Sequence, residues 1–261
     1  MVSQKMTSLN QDMENALKSI EMQPVMAIHE LRKRTKYIRA LLRFHPQGKA
    51  LQASLKSLSN ILAPYRDAQV MWDTYQACVT DNAELRKITI EDRLKKSSFL
   101  MEKLPDSAAL ITLHQLLASF KSQLEGHPFD PSTDHIYKGM KTSHQTGKKA
   151  FKRARQNSDF ELIHIWRKKT KQLWYQLRFI FGDLHEDPDH ALSLSHTLSQ
   201  TLGDIHDLDV FSNSLTDLLD DTHKSHLSGK RNHLLKNAID TGLRLDGGKS
   251  STFYKMLVQS F

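Results

Sequence analysis

The chain has one cysteine, Cys78, among 261 residues, which excludes an internal disulfide and fits a reducing compartment. It has only ten glycines and seven prolines, too few for the frequent turns of a loop-rich or all-β fold, and this favours helices. No apolar run approaches the roughly 20 residues needed to cross a bilayer. The opening stretch MVSQKMTSLNQDMENALKSIEM lacks the basic start and apolar block of a secretory leader. The expectation is a cytoplasmic protein without membrane contact. With 39% hydrophobic residues, the chain is long enough to bury the core of one large domain or two small ones.

Charge of one sign is also missing from long stretches. Residues 138–155 contain seven Lys/Arg and no Asp or Glu, whereas 179–223 contain ten Asp/Glu and no Lys or Arg. Within a net charge of +8, such segregation predicts a folded object with one basic and one acidic region.

What is present is helical periodicity almost throughout, with no strand hairpin and no low-complexity segment. The pattern predicts helices over 25–44 behind Pro24, about 49–62, 66–78, about 83–103 and a further one ending near 124. Glu125-Gly126-His127-Pro128-Phe129-Asp130-Pro131-Ser132 is the clearest turn cluster and the natural boundary between two halves, about 1–125 and 132–261. Ser158, followed three residues later by Glu161, reads as a capping box that starts a helix over 160–181, ended by Gly182. Another helix begins at about 190, and the last break is Asp246-Gly247-Gly248.

The two halves echo each other. Residues 29–43, HELRKRTKYIRALLR, and 164–178, HIWRKKTKQLWYQLR, lie 135 positions apart, and their histidine, two arginines, two lysines and threonine coincide. Downstream, Leu62-Ala63-Pro64-Tyr65-Arg66-Asp67-Ala68-Gln69-Val70 parallels Leu202-Gly203-Asp204-Ile205-His206-Asp207-Leu208-Asp209-Val210. A duplicated unit of roughly 130 residues is expected, with two pseudo-symmetric copies.

On a helix turning about 100° per residue, His29, Arg32, Lys36, Arg39 and Arg43 share one sector of about 80°. Leu31, Thr35, Ile38 and Leu42 take a different face. The second segment maps alike, with His164, Arg167, Lys171 and Arg178 in the basic sector, Trp174 where Arg39 stands, and Trp166, Thr170, Leu173, Leu177 and Ile180 on the apolar face. A surface helix normally interleaves Glu with Lys at i,i+4, each pair stabilising it by about 0.2–0.5 kcal/mol. Here the neighbours are like charges with no acid on their face, so a polyanion from outside is the economical partner. The leading histidines could donate to phosphate according to pH. The other histidines show no metal-ligand spacing, and no metal or cofactor is expected.

These residues resemble a known family. His-x-x-Arg-(x)3-(Lys/Arg)-x-x-Arg with a downstream Leu-Gly-x-x-(Arg/His)-Asp-x-Asp-Val, twice over, looks like the CHAD domain, the conserved histidine α-helical domain. Residues 167–178 are similar to its second repeat, and 139–155 resemble the basic helix ahead of that repeat. The resemblance covers essentially the whole chain. It implies a single all-α domain of two pseudo-twofold-related bundles around a central basic channel that binds inorganic polyphosphate. Carried across by position, the contacts are His29, Arg32, Lys36, Arg39, Arg43 and Arg66, with Lys141, Lys148, Lys152, Arg155, His164, Arg167, Lys171 and Arg178 from the second half. The chain departs from the family pattern at His144, where Tyr is frequent, at Gln145-Thr146, which replace a basic pair, and at His206, which replaces Arg. Asp67, Asp207 and Asp209 read as residues that orient cations.

Two rival readings remain. A basic helical protein can bind nucleic acid, though no helix-turn-helix, zinc-finger or RNA-recognition signature appears, so nucleic acid is expected only as a weaker competing polyanion. The other rival is an enzyme, or an accessory to one, acting on phosphate chains. The chain carries neither a Glu-x-Glu-x-Lys motif nor a P-loop, and it is expected to be a non-catalytic, cytoplasmic module, with polyphosphate granules one expected location.

Overall fold

The computed structural model describes residues 2–78, 107–182 and 190–246, together with Asp92, Leu94, Leu104 and Asp187. The fold is all-α. The described helices are α1 (Val2–Lys18), α2 (Pro24–Leu41), α3 (Gly48–Ile61), α4 (Ala63–Cys78), α5 (Ala108–Gly126), α6 (Thr133–Gln156), α7 (Phe160–Phe181), α8 (Ala191–Ser214) and α9 (Asp221–Asp246). The helix predicted over 83–103 falls largely outside the described residues, as do Gly247 and Gly248. No described helix is long and apolar enough to cross a membrane.

The chain divides into two compact units, Met1–Ser132 and Thr133–Phe261. The turn cluster at 125–132 runs up to that division.

In the first unit α2 packs against α1, α3 and α4, and α3 packs against α5. Pro24 occupies the first turn of α2, where a missing N–H costs nothing because that group has no helical acceptor. The buried face of α2 comprises Ile28, Leu31, Thr35, Ile38, Leu41 and their neighbours, the apolar stripe of the helical wheel. The expected run to residue 44 tightens into a 3-10 turn over Leu42–Phe44. The turn that follows requires Gly48, because a Cβ there would clash with the Leu42 carbonyl oxygen.

In the second unit each helix packs on the next in sequence, and α9 returns to α6. The core joins Phe151, Ile163, Trp166, Leu198, Leu202 and Ile205 among others, with the Phe151 and Trp166 rings 5.0 Å apart. Three small residues separate α6 from α7, and the cap there corrects the sequence reading. Asp159, not Ser158, caps α7, its carboxylate accepting from the Leu162 amide at 2.8 Å. The Ser158 hydroxyl instead donates backwards to the Ala154 carbonyl at the end of α6. A carboxylate is the stronger acceptor at a helix N-terminus, so the adjacent serine is left for the preceding helix. At the other end, Gly182 adopts φ +89°, a conformation that side-chain-bearing residues rarely take.

A second difference lies between 190 and 246, where the sequence offers no glycine-proline signal for a break. The chain turns at Leu215–Leu218, and the Asp220 carboxylate accepts from the His223 amide at 2.9 Å to start α9. Gly242 lets α9 approach closely, since a Cβ there would meet Phe151 and Trp166 ring atoms at 2.8 Å.

Candidate functional site

The first unit carries its cations along one side of α2. Arg32, Lys36 and Arg39 are half-buried beside the packed face, while His29 and Arg43 are exposed. Arg32 donates from Nη1 to the Ser59 carbonyl of α3 at 3.0 Å, so its guanidinium is anchored across the helix pair. The basic residues off this line have acids close by. Lys33 lies 3.1 Å from Glu30, and Arg34 lies 3.1 Å from Asp12 of α1 and 3.3 Å from Glu30. Arg39 has no such pair among the described residues. Its burial and the adjacent Arg43 charge both lower its pKa, because a desolvated cation beside another cation is disfavoured. Arg66 sits on α4, which packs against α2, and its guanidinium stands 3.8 Å from Asp73 of the same helix.

In the second unit two helices carry the predicted residues. Lys141, Lys148, Lys152 and Arg155 are exposed and follow one line of α6, flanking its buried face of Met140, Gly147, Phe151 and others. Arg155 also stands over the Phe151 ring at 5.8 Å. On α7, His164, Arg167, Lys171 and Arg178 are half-buried, and the buried face is Ile163, Trp166, Thr170, Leu173 and Leu177, with Tyr175 and Gln176.

Helix α8 supplies the neighbours of these residues: the sequence reading names His206 and Asp209 in the downstream echo and misses His196. The His206 imidazole lies against His164, tilted by 31° with centroids 4.5 Å apart, and Phe160 stacks on both rings at 5.6 and 6.0 Å. Gly203 brings the α8 backbone beside the Arg167 guanidinium, where a Cβ would stand 3.8 Å from Nε. Asp204 is near enough for Lys230 and Arg167 to pull its pKa down, although partial burial outweighs them and raises it. His196 stacks on Trp174 at 4.8 Å, and Arg178 stands over the same indole at 5.9 Å. Asp209 binds Arg231 of α9, as expected of an acid that orients a cation. His196 and Arg231 have no spacing signal in their own helices; only the apposition of α8 with α7 and α9 reveals them.

One buried pair lies close to Lys148. His144 of α6 and Asp246 at the end of α9 are each 4% exposed in their side chains, with Nε2 3.6 Å from Oδ1. Burial pushes His144 down to about 4 and Asp246 up to about 7, while Lys148 pulls both downwards. Near neutral pH His144 is uncharged and Asp246 is part protonated.

Residues 9–216 match the family model for the CHAD domain. The chain belongs to the CHAD family. Among solved structures, it is similar to the crystal structure of the CHAD domain from the plant Ricinus communis. That likeness covers 95% of this chain and 93% of the other at 20% identity, with a TM-score of 0.64. At that identity it establishes a shared CHAD fold. No curated protein matches significantly. Helices α2, α7 and α8 fall within the CHAD match, and α9 with Arg231 and Asp246 lies beyond it.

Proposed function

We propose that the chain binds inorganic polyphosphate through the basic faces of both units and acts as a non-catalytic binding module. The observation that carries this reading is Arg39 beside Arg43. A half-buried guanidinium depressed by its own desolvation and by a like charge gains most from an anion supplied from outside. Glu30 of this helix and Asp12 of α1 engage Lys33 and Arg34, off the stripe. The aligned lysines of α6 offer the same kind of surface in the second unit.

Polyphosphate suits these faces because it presents a line of anionic oxygens and no base edges. Arginine grips two oxygens at once, and lysine serves as a mobile point charge. Base stacking is not required, and Trp166 and Tyr175 are committed to the core. Competition between charge-matched single-stranded DNA and long-chain polyphosphate tests this reading. Polyphosphate should displace DNA at equal phosphate concentration, and the reverse order contradicts the reading. Phosphate release from polyphosphate with Mg²⁺, abolished by an Asp or Glu substitution, would contradict its non-catalytic part.

A further inference from the structure

Arg39 in the first stripe corresponds, 135 positions on, to Trp174 in the second. That position is not simply a lost cation. The indole carries the His196 imidazole of α8 nearly parallel to it, at 4.8 Å and 17°. The Arg178 guanidinium stands over the same indole at 5.9 Å. Lys171 lies one turn earlier on α7. Trp174 thus acts as a platform that brings a titratable ring from the neighbouring helix into the basic sector of α7.

We propose that His196 is an anion-contacting residue of the second unit, which takes up a proton as phosphate oxygens arrive and so replaces the permanent charge of Arg39 with a conditional one. This rests on the polyphosphate reading above. The imidazole is half-buried, and its burial, then Arg178, then Lys171 hold its pKa below the ordinary value. A bound polyanion reverses the last two effects by neutralising both α7 cations, and it adds an acceptor for the protonated ring. Helix α9, also packed on α8, presents Lys230 towards Asp204 and Arg231 to Asp209, eight and thirteen residues further along α8. The charges acting on His196 therefore come from α7.

The sign follows. The bound-state pKa of His196 lies above the free-state value, so binding takes up a proton and affinity falls as pH rises through that window. In the full chain at fixed salt, the His196 ring is followed by NMR against pH, with and without sodium polyphosphate, and assigned with His196→Gln. Its titration midpoint should rise on binding. His196→Gln should bind about threefold less at pH 6 than the wild type, and nearly equally at pH 8. His196→Lys should restore binding and remove this part of the pH dependence. An unshifted midpoint with unaltered pH profiles in both variants overturns the role of His196 while polyphosphate binding stands. If the wild type fails to bind polyphosphate at any pH, the underlying reading fails, and this proposal falls with it. The ring titration is read on the wild-type chain, so it decides the matter even if a variant folds poorly.

Discussion

Arg231 clasps Asp209 with two hydrogen bonds, from Nε to Oδ1 at 2.6 Å and from Nη2 to Oδ2 at 3.3 Å. The same Nη2 donates to the Ser158 carbonyl at 3.1 Å, so one guanidinium ties α9 to α8 and to the start of α7. Asp209→Ala would leave a largely buried cation uncompensated. For side chains 22% and 12% exposed, a loss of about 2 kcal/mol is expected, below the figure for a fully buried pair. A lower urea midpoint, with polyphosphate affinity unchanged, is the expected result. This separates an acid that orients structure from one that takes part in binding.

Two glycines of α9 should respond in opposite directions. Nothing lies within 4 Å of a Cβ at Gly229, so Gly229→Ala should stabilise the chain by up to about 1 kcal/mol through helix propensity. At Gly242 the new methyl meets the Phe151 and Trp166 rings at 2.8 Å in a packed core. Overpacking of about 1–3 kcal/mol exceeds the propensity gain there, so Gly242→Ala should be destabilising. Thermal unfolding of the two variants side by side checks the sign of each.

The His144–Asp246 pair sets opposing pH dependences. Asp246 has a folded pKa raised to about 7, so the stability it confers is fully present below its unfolded value and is lost as pH rises towards 7. His144, lowered to about 4, confers stability that is present above its unfolded value near 6.5 and is lost as pH falls towards 4. The slopes nearly cancel in the wild type between those limits. Asp246→Asn removes one of them. Its stability should rise with pH from 4 to 6.5, by an amount on the order of 2 kcal/mol more than the wild type gains. Parallel stability profiles for the two proteins would show that Asp246 ionises normally.

The cap of α7 offers a local test. Asp159→Ala should cost about 1 kcal/mol, and Ser158→Ala less, because only Asp159 satisfies an amide of the first turn. Sequence spacing predicted a cap and the correct start of this helix but named the wrong residue. Both candidates are good acceptors, and only the path of the chain leaving α6 decides which hydroxyl or carboxylate faces the amides.

The rest of the fold was legible for a related reason. The apolar stripe of α2 appears in the sequence because burial on one helix face imposes a period of 3.6, and Leu31, Thr35 and Ile38 are buried where that period puts them. The basic line on the same helix is legible by the same arithmetic. His196 and Arg231 were not, since their significance comes from helices that meet through tertiary packing and leave no periodic trace. The break at 215–220 was also hidden, because its cap, Asp220, is one of three aspartates in an apolar and acidic stretch without glycine or proline.

The central claim is that permanent charges on α2 and α7 bind polyphosphate. Its most direct test is the binding isotherm of long-chain polyphosphate over a range of salt, for the wild type and for Arg32→Glu combined with Arg167→Glu. Circular dichroism verifies that the variant stays helical. For the wild type, log affinity should fall linearly with log salt as counterions are displaced, with a slope of several units. The double variant should keep its helical signal and lose binding. Retained affinity with an unchanged salt slope in the double variant would contradict the account and place the binding surface elsewhere on the chain.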